Sequence, residues 1–107
     1  MTTNKDLYII AHNIRSLYNI GTMFRTADAL GVDRLFLTGY SGTPPRKEIS
    51  KVALGAEEAV SWQHYKSLSY LIKKLKKEGV KIVALETGDS SIDYLDFKPK
   101  FPMALLL

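Results

Sequence analysis

The side chains best suited to chemistry lie between Asn13 and Gly31, in a polar segment followed by a helical pattern. Arg15 and Arg25 supply guanidinium forks of the kind that bind phosphate. Gly21 lies in the first turn of the helical pattern, where the missing side chain lets another backbone approach closely. A helix N-terminus adds free N–H groups and a partial positive charge. The segment therefore predicts a binding site for a phosphate-bearing ligand.

A plainer interpretation of this segment is a capped amphipathic helix with two solvated arginines, because arginine is mostly exposed in proteins. Asn19 is a good N-cap residue, so we predict that the helix begins near it and ends at Gly31. Neither a glycine-rich dinucleotide fingerprint nor a P-loop occurs in the sequence. The apolar residues of the segment repeat on one helical face, which predicts its burial: Ile20, Met23, Phe24, Ala27 and Leu30.

The elements that must position these residues alternate between strands and helices. Buried strands are predicted at 7–11 and 34–38, further strands at 80–85 and 102–107, and a short edge strand at 59–62. Further helices are predicted at 47–54 and 66–78. This alternation indicates parallel βαβ units and an α/β fold, with a three-layer arrangement of a parallel sheet and flanking helices. Parallel sheets bind ligands at the carboxyl ends of their strands, and the loop that begins at His12 follows the first strand.

The composition is that of one globular domain over residues 1–107. Lysine and arginine number 15 against 11 acidic residues, a net charge of +4 that leans towards polyanions. The absence of cysteine excludes thiolate metal sites and cysteine nucleophiles. His12 and His64 are isolated, so we expect no metal. The apolar runs are too short to cross a membrane and the N-terminus is polar, which predicts a cytoplasmic protein with no membrane partner.

The pattern Asn-x-Arg-Ser-x-x-Asn-x-Gly-x-x-x-Arg-Thr-Ala, from Asn13 to Ala27, resembles the first motif of the SpoU (TrmH-like) RNA 2′-O-methyltransferases. These enzymes belong to the knotted SPOUT superfamily. Weaker similarities occur at 51–57, 83–87 and 102–107, so the resemblance covers nearly the whole chain.

The resemblance implies methyl transfer from S-adenosylmethionine to a ribose 2′-hydroxyl of tRNA or rRNA. It makes Arg25 the catalytic arginine and Asn19 its companion, although Asn19 has the alternative role of helix N-cap. Arginine is a poor base because its guanidinium stays protonated at neutral pH. We therefore expect Arg25 to act as a cation that stabilises negative charge developing on the 2′-oxygen.

Further residues are assigned to RNA by the same resemblance, with Arg15 as a contact to a substrate phosphate. The alternatives are a surface charge for Arg15, close packing for Gly21 and a solvated lysine for Lys51. Aromatic side chains at Tyr40, Trp62 and Tyr65 are candidates for base stacking, although packing in the core or at the sheet edge is the favoured interpretation. The other candidate RNA contacts are His12, Asn13, Gly21, Thr26 and Lys51. The loop after the third predicted strand is expected to contact S-adenosylmethionine, or else to be an ordinary turn: Leu85, Glu86, Thr87 and Gly88.

Relatives of this family continue beyond the segment that resembles Met103 to Leu107, with a Gly-x-Glu segment and a later segment that forms the trefoil knot. These two segments supply most of the cofactor pocket and much of a homodimer interface. We therefore expect the 107 residues to be a truncated domain without the knot. Alone, it is expected neither to bind S-adenosylmethionine well nor to turn over. The alternatives are a catalytically silent RNA-binding module and, less favoured, a small nucleotide-binding or signalling domain.

Overall fold

Five parallel strands form one sheet in the computed structural model, which describes residues 6–84 and 100–107. The strands are β1 (Leu7–His12), β2 (Arg34–Thr38), β3 (Trp62–Tyr65), β4 (Lys81–Ala84) and β5 (Met103–Leu106). The helices are α1 (Leu17–Leu30), α2 (Lys47–Ala53), α3 (Ala56–Ala59) and α4 (Leu68–Lys77). The predicted α/β class with a parallel sheet is confirmed.

The strand order β3-β2-β1-β5-β4 places a topological switch point between β1 and β5. From β1 the chain runs outwards through β2 to β3, and α4 then returns it to β4 at the opposite edge of the sheet. In the register, Ile10 of β1 lies beside Phe36 of β2 and Leu106 of β5. Open parallel sheets bind ligands in the crevice outside the carboxyl ends of the strands at such a point.

The sheet carries a buried core cluster on each face, centred on β1 and β2, as their apolar runs predict. On one face Ile9 and Ala11 pack with Leu35 and Leu37 under α1, α2 and α3. On the other face the alternate residues Ile10 and Phe36 pack under α4. This period of two along each strand produces the three layers. The helical residues that complete the two core clusters are Ile20, Phe24, Ala27, Ile49, Ala53 and Ala56 on the first face and Leu71 and Leu75 on the second.

The edge strand predicted at 59–62 is wrong in position, since β3 begins at Trp62. Ala56 to Ala59 instead form the short helix α3, which the sequence prediction missed. Alanine and glutamate are good helix formers, and the N–H of Val60 donates to the carbonyl of Ala56 at 2.9 Å. The chain joins the sheet from Trp62, which pairs with Leu35 of β2.

The other predicted boundaries agree with the structure to within a few residues. The predicted end of α1 at Gly31 is confirmed, because this residue has the left-handed φ of 68° that ends many helices. Within the described ranges, no helix is long and apolar enough to cross a membrane.

Candidate functional site

The loop after β1 is joined to the loop after β2 through Asn13 and Gly39. The N–H of Asn13 donates to the carbonyl of Thr38 at 3.1 Å, and its side-chain Oδ1 accepts from the N–H of Tyr40 at 3.1 Å. Asn13 has a left-handed φ of 51°, which asparagine tolerates better than most residues. Gly39 has a φ of 64°, and a Cβ at Gly39 would overlap the Oδ1 of Asn13. A direct backbone approach therefore fixes the two loops at the carboxyl edge of the sheet.

Buried hydroxyl groups strengthen this junction. The Oγ of Ser41 accepts from the N–H of Ile14 at 2.8 Å and donates to the carbonyl of Ala11 at 3.1 Å. The Oγ1 of Thr38, which is fully buried, lies 2.9 Å from the Nδ1 of His12. The sequence analysis missed Thr38, Gly39 and Ser41. The sequence signal that could have identified this loop is the glycine and the serine that follow the buried strand β2.

The N-cap of α1 is Ser16, so the prediction that Asn19 caps this helix is wrong. Ser16 has an extended backbone, with φ −75° and ψ 116°, and its Oγ accepts from the N–H of Asn19 at 3.1 Å. Serine is as good an N-cap as asparagine, and it stands three residues earlier, where the polar loop ends. Asn19 is in the first turn with its side chain exposed, which leaves the side-chain amide available to a ligand.

Gly21 is buried where α1 crosses α2. A Cβ at Gly21 would lie 2.8 Å from the Cβ of Val52 and 2.9 Å from the carbonyl oxygen of Ile49. The structure thus gives Gly21 the close-packing role that was one of its two predicted interpretations. This packing fixes the direction of α1 relative to the loops.

Arg15 lies exposed in the loop before α1, with its guanidinium carbon 5.7 Å from the centre of the Tyr40 ring. This is within the range of a cation–π contact. Since the Tyr40 backbone is held by Asn13, the motif residues Asn13 and Arg15 both contact the loop after β2.

Arg25 and Thr26 lie on the exposed side of α1. Arg25 is eight residues beyond Leu17, about 12 Å along the helix axis. Helix side chains lean towards the N-terminus, which is the direction of the Asn13–Ser16 loop. Within residues 6–84 and 100–107, the Arg25 side chain has no ion pair or hydrogen bond. Its guanidinium is therefore available to an anionic ligand.

Lys51 is not joined to this group by any described contact. Lys51 is exposed in the last turn of α2 and has no hydrogen bond or ion pair with the loop residues among the described positions. Leu85, Glu86, Thr87 and Gly88 lie outside the described residues. The strand that precedes them, β4, ends at Ala84 beside Leu106 of β5. Within the described ranges, no group of three or more metal-ligating side chains occurs.

Glu57 is an acidic residue of the 51–57 segment that sequence reasoning did not single out. A hydrogen bond from the Ser50 side chain, followed by backbone hydrogen bonds, lowers the pKa of the Glu57 carboxyl. Ser50 belongs to α2 and Glu57 to α3, so the group that lowers this pKa and the carboxyl that titrates lie on neighbouring short helices.

Comparison with known proteins gives consistent matches over nearly the whole chain. The model of the SpoU rRNA Methylase family matches residues 6–107. The 23S rRNA (guanosine-2'-O-)-methyltransferase RlmB of Vibrio parahaemolyticus is 27% identical over 101 residues, 94% of this chain and 40% of that protein. The tRNA (guanosine(18)-2'-O)-methyltransferase of Escherichia coli K12 is 24% identical over 102 residues, 95% of this chain and 44% of that protein.

The structural comparison agrees with the sequence comparison. The AdoMet-bound rRNA methyltransferase from Sinorhizobium meliloti superposes with a TM-score of 0.87 at 27% identity, over 97% of this chain and 40% of that one. The chain thus spans about 40% of the length of the proteins that it matches. A family match over residues 6–107, together with this shared fold, confirms the resemblance first indicated by Asn13 to Ala27: the chain belongs to the SpoU rRNA methylase family.

Proposed function

We propose that these residues belong to an enzyme that transfers a methyl group to a ribose 2′-hydroxyl of tRNA or rRNA, with S-adenosylmethionine as donor. The observation that carries the proposal is the position of the motif. Its asparagines and arginines follow β1 at the switch point of a parallel sheet, in a chain of the SpoU family. The relatives support both RNA classes, because one is named for 23S rRNA and another for tRNA.

Arg25 has the central role in this proposal. The 2′-oxygen attacks the donor methyl carbon as the methyl–sulfur bond breaks, and the hydroxyl proton passes to solvent or to a neighbouring base. Arg25 stabilises the negative charge that develops on the 2′-oxygen, since a fixed cation is most effective where charge develops. Because Ser16 caps the helix, the exposed side-chain amide of Asn19 is not needed as a cap. This amide orients the ribose from the first turn of α1.

The substrate backbone is held by the polar loop. Arg15 contacts a phosphate through its guanidinium fork, and the N-terminus of α1 adds its partial positive charge. His12, Asn13 and Thr26 complete the RNA surface, with Gly21 fixing the helix direction and Lys51 adding a more distant cation. The junction through Asn13 and Gly39 preorganises these groups before substrate binds.

S-adenosylmethionine supplies a methyl group activated by its sulfonium charge. The edge next to the switch point fits its apolar parts, because Val83 and Leu105 are paired and half-buried where β4 and β5 end. Leu85, Glu86, Thr87 and Gly88 directly follow β4, and we assign them to the cofactor cleft.

We further propose that the protein acts as a cytoplasmic homodimer. Its support is an exposed leucine at the carboxyl end of α1, Leu30, which is 66% accessible to solvent. A single exposed leucine also occurs on monomers, so the interface is tested directly by substitution at Leu30.

Arg25 provides the test of the enzymatic proposal. The protein produced from the reading frame that contains these residues is incubated with radiolabelled S-adenosylmethionine and total tRNA or rRNA, and methylated ribose is identified after nuclease digestion. We expect Arg25→Ala to lower the rate about 100-fold or more, as for loss of an oxyanion donor. Arg25→Lys, which keeps the charge but loses the guanidinium fork, should have a rate between those of the parent protein and Arg25→Ala.

Arg34→Ala is the matched control, because Arg34 is an exposed arginine at the amino end of β2. The motif loop lies at the other ends of the strands. Full activity in Arg25→Ala would exclude the catalytic role, and full activity in Arg25→Lys would exclude the role of the fork. RNA binding without methyl transfer by the parent protein would favour the silent RNA-binding module.

A further inference from the structure

An open groove of about 540 Å³ lies at the carboxyl edge of the sheet, between the loop after β2 and the edge strand β3. It adjoins the motif loop, because Tyr40 lines the groove while its ring contacts Arg15. The groove combines aromatic, proline and basic side chains. The lining residues used in the argument are Tyr40, Pro44, Pro45, Arg46, Trp62 and His64.

Tyr40 is an exposed aromatic ring on a fixed backbone. Tyr40 is 58% accessible to solvent, whereas Tyr65 packs against Phe36 and Tyr70. The Tyr40 N–H donates to Asn13, and the preceding N–H of Gly39 donates to the Tyr65 carbonyl at 3.1 Å. The loop is thus attached both to the motif loop and to β3. A rigid, solvent-facing ring of this kind is a stacking platform that loses little entropy when a flat ligand binds.

His64 presents one ring nitrogen as a hydrogen-bond acceptor. Its Nε2 lies 2.9 Å from the carbonyl oxygen of Gly39. Because a carbonyl only accepts, Nε2 carries the proton, and Nδ1 of the neutral ring is left as an acceptor. An exposed acceptor beside an aromatic platform suits the N–H edge of a nucleobase.

The groove is flanked by positive charge. Arg15 lies at the Tyr40 end and Arg46 lines the loop. Arg46 pairs with Glu48 at 3.8 Å, but both side chains are more than half exposed, so this ion pair is weak. A phosphate can displace such a carboxylate at little cost, which leaves the groove complementary to a polyanion.

We propose that this groove binds an unpaired segment of RNA next to the target nucleotide, with a base stacked on Tyr40 and hydrogen-bonded by His64, and with phosphates held by Arg15 and Arg46. The proposal rests on the proposed function in taking RNA as the ligand, and it deepens that function by assigning single-stranded RNA to a named surface. Single strands are favoured over a duplex because only unpaired bases offer their faces to an aromatic ring.

Trp62 supplies the measurement, because it lines the groove and is the only tryptophan in the sequence. A short oligouridylate is titrated into the 107-residue chain while tryptophan fluorescence is recorded, and a self-complementary RNA duplex of the same length is titrated separately. We expect saturable quenching with the single strand and weaker binding of the duplex. Tyr40→Ala should weaken single-strand binding about fivefold or more, and Tyr40→Phe should retain it.

Tyr70→Ala is the matched control, since Tyr70 is an equally exposed tyrosine, 60% accessible. It belongs to α4, which covers the face of the sheet opposite to α1. Circular dichroism verifies that each variant is folded, and Arg46→Gln gives a second, independent loss of affinity. Equal affinity in Tyr40→Ala and the parent chain, equal loss in Tyr70→Ala, or equal binding of duplex and single strand would each overturn the proposal.

The two proposals fail in distinguishable ways. If Arg25→Ala keeps its affinity for the single strand while Tyr40→Ala loses it, the groove is supported even when no methyl transfer occurs. If Arg25→Ala abolishes methyl transfer while Tyr40→Ala changes neither affinity nor rate, the enzymatic proposal stands and the groove is refuted.

Discussion

At the scale of single residues, the chemistry of the site depends on a junction that carries no reactive group. Asn13 holds the N–H of Tyr40, and Gly39 is the residue that lets the two loops come together. The arginines that make up the proposed RNA surface project from segments fixed by this contact. Small residues therefore decide the position of the charged ones.

Gly39→Ala tests the junction. The added methyl group meets the Oδ1 of Asn13 and also penalises the left-handed backbone, so we expect a loss of about 2 kcal/mol or more in the free energy of unfolding. Urea denaturation measures the loss. Gly31→Ala measures the cost of the left-handed backbone alone, because Gly31 has nearly the same φ, 68°, and an added Cβ would meet no atom within 4 Å. It should lose only about 1 kcal/mol, and equal losses in both variants would refute the contact.

At the scale of elements, the cap of α1 positions its first turn. Ser16 accepts from the N–H of Asn19, and Ser67 accepts in the same way from the N–H of Tyr70 at the start of α4. Replacing either serine with alanine should cost about 1 kcal/mol in the free energy of unfolding.

The two capping variants should differ in RNA affinity although they cost the same stability. Only Ser16→Ala loosens the helix end that carries Asn19 and follows Arg15, so only this variant should weaken RNA binding in a filter-binding assay. An equal loss of affinity in Ser67→Ala would mean that general destabilisation, and not the position of α1, is responsible.

A second contact between elements predicts a pH dependence. Hydrogen bonding from Ser50 lowers the pKa of Glu57, so its stabilising contribution is present above the ordinary pKa of about 4.5 and is lost as pH falls through the lowered value. Glu57→Gln should melt at a lower temperature than the parent chain at neutral pH, and the two melting temperatures should converge in acid. Glu58→Gln, an exposed neighbour in the same turn, is the control; a difference that persists in acid would contradict the assignment.

Much of this architecture could be predicted from local sequence patterns. Apolar runs separated by helical repeats predicted the parallel sheet, and the spacing from Asn13 to Ala27 predicted the family. The start of α1 was misplaced because Ser16 and Asn19 are both good caps and propensity does not choose between them. The contacts of Gly39, Ser41 and Tyr40 join residues about 27 positions apart, and no local pattern encodes such contacts.

At the scale of the whole molecule, each face of the sheet carries a buried core cluster in the described structure, yet α1 still exposes apolar side chains. Tyr18 and Leu30 face solvent in the described structure, although they belong to the helix whose inner face packs on the sheet. The proposed homodimer places Leu30, at the carboxyl end of α1, against a second copy and leaves the Arg25 face of the helix open to RNA.

Leu30→Glu tests the assembly. A buried, unpaired carboxylate in a subunit interface is costly, so the variant should shift towards monomer, with a dissociation constant raised about tenfold or more. Sedimentation equilibrium of the protein from the complete reading frame measures the shift. Leu54→Glu is the matched control, because Leu54 is a similarly exposed leucine, 71% accessible, at the end of α2. Unchanged association in Leu30→Glu, or equal dissociation in Leu54→Glu, would place the interface elsewhere and leave the exposed side of α1 for another partner.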